Sequence, residues 1–257
     1  MVTVRVPATT ANLGPGFDTL GLALALYNTL TFEELAEGLY FEGVDPEYAT
    51  AENLAVVAYK AVLSKLGLPM PGLRISVQAE IPICRGLGSS AALIAAGAAG
   101  ANANHGSPLT RAGLLAVCND IEGHPDNLAP AIFGGLVASF VENERPYIAR
   151  YSLHKRLRCT ALIPDFQLST HLARGVLPKE VPYGDAIFNV SRTAVLLRAL
   201  EEGDTETISV SLQDKLHQPF RRTLIPGFDE AEALANSCGC VAFFFFGAGP
   251  TLLCLFA

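Results

Sequence analysis

The stretch Pro82-Ile83-Cys84-Arg85-Gly86-Leu87-Gly88-Ser89-Ser90-Ala91-Ala92 decides how this chain is read. Just before it, Leu73, Ile75, Val77 and Ala79 alternate with polar residues at the period of a strand. Just after it, an alanine-rich run reads as a helix to about Asn104. Gly86 and Gly88 allow a tight turn and a close backbone approach to a ligand. Ser89 and Ser90 stand where the helix begins, and its free N–H groups and positive dipole end form a natural anion site. Hydroxyls at that point can cap the helix, bind phosphate oxygens or reach a magnesium ion. A plain serine-capped turn is the simpler alternative. Neither the Gly-Lys-Ser/Thr of a P-loop nor the glycine pattern of a dinucleotide fold occurs.

Outward from this loop, strands and helices are interspersed without regular βαβ alternation, which favours an α+β class. Val2, Val4 and Val6 predict a strand ending at Pro7, and Gly21 to Phe32 reads as extended. Helices are expected from Ala55 to Leu66, around Leu114 to Ile121, and over Ala186–Leu200, Asp204–Leu216 and Asp229–Ser237. Further strands are expected at Gly134–Phe140, Arg158–Ile163, Val241–Phe246 and Thr251–Phe256. The charged stretch Glu142 to Arg158 separates apolar blocks, so the expected domains are 1–155 and 156–257.

Composition narrows the class. Of the 257 residues, 50% are apolar and 17% charged, which excludes a disordered or fibrous chain. The net charge of −7 argues against a nucleic-acid binder, although a local basic pocket for an anionic ligand remains compatible with it. No apolar run reaches the length of a membrane span and no signal-type segment opens the chain, so the expectation is a cytoplasmic protein. The six cysteines form no disulfide framework and no C-x-x-C pair, and read as reduced thiols.

The glycine loop resembles the phosphate loop of the GHMP family of small-molecule kinases. Two flanking segments match that family as well. Pro7-Ala8-Thr9-Thr10-Ala11-Asn12-Leu13-Gly14-Pro15-Gly16-Phe17-Asp18 resembles the first motif of its homoserine kinases, and Gly247-Ala248-Gly249-Pro250-Thr251 resembles its third motif. The resemblance runs over nearly the whole chain. It implies two domains, an N-terminal one like the second domain of ribosomal protein S5 and a C-terminal ferredoxin-like one. It also implies transfer of the γ-phosphoryl of ATP to the side-chain hydroxyl of L-homoserine, a step towards threonine, with Mg2+ as cofactor. Members of the family are often homodimers.

Site residues follow by the same resemblance. Pro82 to Ala92 would hold the ATP phosphates through backbone amides. Ser90 would be a magnesium ligand, with an acidic partner on the next helix; Glu122 is the first choice and Asp120 the alternative. Asn12 and Asp18 would face the amino-acid substrate. His124, Asp126 and Asn127 lie in Glu-Gly-His-Pro-Asp-Asn, and Thr170 and Arg174 in Ser-Thr-His-Leu-Ala-Arg, both similar to segments of these kinases. Arg174 and Arg221 would bind the carboxylate, with Asn189 and Arg192 as weaker candidates. Asp18, Asp126 and Asn127 are the candidates nearest the reacting hydroxyl. Asp18 or Asp126 could serve as base, and a loose phosphoryl-transfer transition state demands little of one. His105, His154, His171 and His217 read as surface or structural. A kinase for a mevalonate-type alcohol, or a protein of this fold that binds without catalysis, is the alternative.

Two departures from the family pattern carry expectations. A serine usually precedes Gly-Ala-Gly-Pro; here the residue is Phe246, which removes any side-chain hydrogen bond at that turn. The sequence also stops at Ala257, where these kinases usually continue, so the C-terminal domain is expected to be short. The last strand would then lack cover and expose apolar surface.

Overall fold

The structure, a computed structural model, describes residues 1–257 apart from the side chain of Thr170. A six-stranded sheet forms from β1 (Val2–Ala11), β2 (Leu20–Leu35), β3 (Leu39–Glu42), β4 (Gly72–Ala79), β5 (Leu136–Glu142) and β6 (Arg145–Tyr151). The long strand β2 organises it. One edge of β2 pairs with β1; the other takes β5 at Leu20–Leu22 and β4 from Asn28 to Leu35. β1 does not end at Pro7. The register shifts between Pro7 and Thr9, and the strand then runs on to Ala11, since a bulge accommodates a proline that cannot donate to the ladder.

Four helices cover this sheet: α1 (Leu54–Leu66), α2 (Ser89–Asn104), α3 (Arg111–Glu122) and α4 (Leu128–Phe133). Asn53 caps α1 by accepting the Ala55 N–H at 3.0 Å, and Gly67 closes it in the left-handed region. α2 is buried on nearly every side, which its alanines and glycines permit: Gly97 lies against Ala55 and Gly100 against the Phe32 ring.

The stretch read as a charged boundary contains β6. Its burial alternates, and it pairs with β5 at the sheet edge, where charged side chains face solvent. A second sheet follows, from β7 (Arg158–Leu162), β8 (Ala242–Phe245) and β9 (Leu252–Phe256), in the order β7-β9-β8. Between β7 and β8 lie α5 (Thr170–Gly175), α6 (Tyr183–Glu202), α7 (Thr205–Ser211), α8 (Gln218–Arg221) and α9 (Phe228–Ser237).

The expectation of an uncovered last strand is corrected. β9 is the central strand of its sheet, hydrogen-bonded on both edges, and Leu252 to Leu255 are all buried. Leu253 and Leu255 face a core shared with Phe244, Phe246, Leu196 and Leu200. That core is continuous with the one under the first sheet. Leu252 joins Ile225, Phe228 and Phe245 in a smaller cluster beneath α9. Phe246 leaves that turn without a side-chain hydrogen bond, as expected. Its ring is buried in the shared core, while its backbone closes the turn by bonding to Thr251 and Gly249.

Candidate active site

One cavity of about 940 Å3 runs between the two sheets, and all three sequence motifs line it. Its apolar end is built from Leu54, Val77, Ile81 and Leu93, followed by the glycine loop and then a polar end around Asp18, His124, Arg174 and Arg221.

The glycine loop is held from both sides. Thr9 N–H at the end of β1 donates to Leu87 O at 3.2 Å. Gly88, with φ of +68°, is the N-cap of α2, and a side chain there would run into Thr9 Oγ1. Gly86 faces the carbonyls of Gly249 and Phe246, so the third motif packs directly onto the loop. Neither serine caps the helix. Ser90 Oγ instead donates to Glu122 Oε1 at 2.5 Å, while Asp120 is exposed and does not line the cavity.

A hydroxyl and a carboxylate meeting at a phosphate loop are hard oxygen donors of the kind Mg2+ takes. No group of three or more His, Cys, Asp or Glu side chains suited to a metal exists among the described residues. The pair therefore fits an ion that draws its other ligands from a phosphorylated substrate and water.

At the polar end, Arg174 forks onto Asp18, with Nη1 to Oδ2 at 3.0 Å and Nη2 to Oδ1 at 2.8 Å. This joins across the cavity two residues that sequence reading had placed on separate substrate groups. Asp18 has a φ of +53°, and its N–H donates to Asn12 Oδ1 at 3.0 Å. Asn12 donates in turn to Gly247 O at 2.8 Å, so its amide fixes the first motif to the third. His124 Nδ1 lies 2.8 Å from Asp126 Oδ1, which also accepts the Asn127 N–H. That hydrogen bond raises the His124 pKa above 6.5 against the opposing effect of burial. Asn127 Oδ1 accepts from Thr9 Oγ1 at 3.0 Å. Thr170, expected beside Arg174, has a side chain outside the described residues.

Arg221 is 1% exposed. Its Nε donates to Ala173 O at 3.1 Å, and its Nη1 lies 3.3 Å from both Gly247 O and His217 Nδ1. Burial, then the nearby Arg174 charge, lower its pKa to about 10, so the guanidinium stays charged at neutral pH.

His217, expected to be surface or structural, is structural. It is fully buried, burial pushes its pKa down to about 4, and its Nε2 sits 2.8 Å from Gly14 O. A neutral ring with the proton on Nε2 donates to Gly14 and accepts from Arg221, which satisfies both contacts. Asp214 braces the same turn by accepting the His217 and Gln218 N–H groups and the Asn189 amide. Asn189 is thus a buried tie, also bonded to Pro15 O, and it does not line the cavity. Arg192 likewise stays outside the cavity, stacked on Phe188. The spacing of His217 from Arg221, one helical turn, is the only signal in the sequence that pairs them.

The GHMP kinases N terminal domain model matches residues 53–135, and the GHMP kinases C terminal model matches residues 196–257. A homoserine kinase of Clostridium botulinum is 45% identical over 253 residues, covering 98% of this chain and 85% of its own length. One of Moorella thermoacetica is 47% identical over 256 residues, covering 98% and 86%. The crystal structure of a homoserine kinase from Cytophaga hutchinsonii superposes with a TM-score of 0.87 at 29% identity, over 99% of this chain and 85% of the other. An L. major mevalonate kinase, 15% identical with a TM-score of 0.77, shares the fold. In the described residues no helix is long and apolar enough to cross a membrane.

Proposed function

The chain belongs to the GHMP kinases and, within them, to the homoserine kinases, and from that premise we propose how its site works. The reaction is ATP-dependent phosphorylation of the L-homoserine side-chain hydroxyl, giving O-phospho-L-homoserine for threonine biosynthesis. The observation that carries the assignment of the site is the union in one cavity of the glycine loop, the Ser90–Glu122 pair and the Asp18–Arg174–Arg221 group.

In this reading the nucleoside of ATP occupies the apolar end and its phosphates lie on the backbone of Gly86–Ser90, at the N-terminus of α2. Ser90 and Glu122 would hold Mg2+, which when bound offsets the phosphate charge. Homoserine brings an ammonium, a carboxylate and a hydroxyl. Asp18 accepts from the ammonium, and the Arg174 and Arg221 forks face the carboxylate. His124 is held by Asp126, and it is carried with Asn127 to the edge of the same space. Asp126 Oδ1 already accepts two hydrogen bonds, which suits a group that orients His124 better than a free base. Positioning and charge stabilisation then supply most of the rate, as a loose transition state requires. The six unpaired cysteines and the need for ATP support a reducing, ATP-supplied compartment, the cytoplasm.

The direct test measures ADP release with homoserine, mevalonate or galactose as acceptor. Homoserine-dependent release, with O-phosphohomoserine found by mass spectrometry, is the expected result. Turnover of mevalonate without homoserine would overturn the substrate assignment.

A further inference from the structure

The glycine loop carries one side chain for which backbone binding of phosphates has no use. Arg85 lines the cavity next to Gly86, and its side chain is only 17% exposed. Its Nη1 is buried and has no hydrogen-bond partner among the described residues. Its Nη2 lies 3.8 Å from Asp165 Oδ1, beyond hydrogen-bond length, and that carboxylate is fully exposed in the segment after β7. A buried guanidinium donor without an acceptor is unfavourable, so its presence calls for an acceptor that arrives from outside the chain.

Charge in the cavity shows which ligand that is. Its arginine and lysine lining consists of Arg85, Arg174 and Arg221. Arg174 is given to Asp18, and Arg221 to two carbonyls and His217. Only Arg85 sits on the glycine loop, and of the three only it has a buried guanidinium nitrogen without a hydrogen-bond partner among the described residues. A P-loop supplies a lysine to the phosphates, but Gly-Leu-Gly-Ser-Ser supplies none. A guanidinium fork matches two phosphoryl oxygens at once.

We propose that the Arg85 side chain binds the phosphoryl groups of the nucleotide, and that Asp165 is the partner it leaves to do so. The proposal rests on the reading of this site as an ATP site and adds a side-chain cation to the backbone cradle. Asp165, from the second domain, then competes with the phosphates for the same guanidinium. The two members of the ion pair therefore have opposite effects: loss of Arg85 weakens nucleotide binding, and loss of the Asp165 charge leaves it equal or tightens it.

Calorimetric titration of the full chain with ADP and with adenosine, in the presence of Mg2+, tests this. Arg85→Ala is expected to weaken ADP at least tenfold and adenosine less than twofold, with Arg85→Lys in between. Asp165→Asn is expected to bind ADP as well as the parent or up to a few-fold tighter. Unchanged ADP affinity in Arg85→Ala, or equal losses for ADP and adenosine, would overturn the proposal. Weaker ADP binding in Asp165→Asn would also overturn it, by making the pair a structural tie between domains. A parent protein that turns over homoserine while Arg85→Ala binds ADP normally sinks this inference alone. A parent that binds no ADP sinks the ATP site with it.

Discussion

Replacing Asp18 with Asn separates a structural from a substrate-binding role for the Arg174 fork. The residue has a left-handed φ of +53°, which Asn tolerates well, so the backbone is not strained by the change. The Asn12 amide still receives the residue-18 N–H. What disappears is one negative charge facing Arg174, in a pair whose side chains are 36% and 39% exposed. A pair so open to solvent contributes about 0.2–1 kcal/mol to folding. For a chain of this size that amounts to a melting shift of at most about 4 °C. The substrate ammonium, in contrast, loses a hydrogen bond to a charged acceptor, worth about 1.5–3 kcal/mol, or roughly 10- to 150-fold in binding. The expected outcome is a homoserine KM raised about 10- to 150-fold, an ATP KM within twofold of the parent, and a small melting shift. Coupled ADP-release kinetics at saturating ATP and scanning calorimetry read the two quantities. A homoserine KM within twofold of the parent, with a melting temperature lower by well over 5 °C, would reduce Asp18 to a latch for Arg174.

Three further outcomes are expected. Ser90→Ala and Glu122→Gln each raise the Mg2+ concentration needed for half-maximal rate, read by metal titration at fixed ATP; unchanged titrations would remove both from the metal site. Phe246→Ala opens a cavity in the core shared by the two sheets and costs about 3–5 kcal/mol in urea unfolding; a cost under 1 kcal/mol would mean the ring does not join them. His124 has a folded pKa raised above 6.5 by Asp126, so its contribution to stability is fully present below about pH 6.5 and is lost as pH climbs through the raised value. Urea unfolding across that window shows the decline in the parent and not in His124→Gln; identical slopes would count against the pairing.

The legible parts of the chain were those where one period dominates. Leu73 to Ala79 alternates cleanly and is β4; Ala55, Tyr59 and Val62 share a helical face and lie in α1. Where charge and burial conflict, the sequence misleads. Arg145 and Arg150, with the acidic residues just before them, look like a linker, yet the two arginines lie in an edge strand whose solvent face tolerates charge. Leu252 to Leu255 look uncovered to a linear reading, because their cover comes from β7 and β8, and the segment between β7 and β8 holds five helices. The family resemblance already paired Ser90 with Glu122, and they meet across 32 positions. It pointed to Asp18 and Arg174 one at a time, and that these two meet is a long-range fact, between residues 156 positions apart. The partners of His217 are hidden for a related reason: a histidine read as surface or structural does not disclose that Gly14 and Arg221 lie on its two nitrogens.

The ties on the Asn12–Gly16 turn bear on how substrate preference could be re-engineered. The turn joins β1 to β2 of the first sheet, but Gly14 O, Pro15 O and the Asn12 amide are held by His217, Asn189 and Gly247, all from the segment that follows β7. A chimera that joins the first sheet and its helices to a C-terminal half from a relative with another acceptor would inherit a turn without its anchors. Exchanging acceptor specificity in this scaffold therefore means transplanting turn and anchors together, as a discontinuous module.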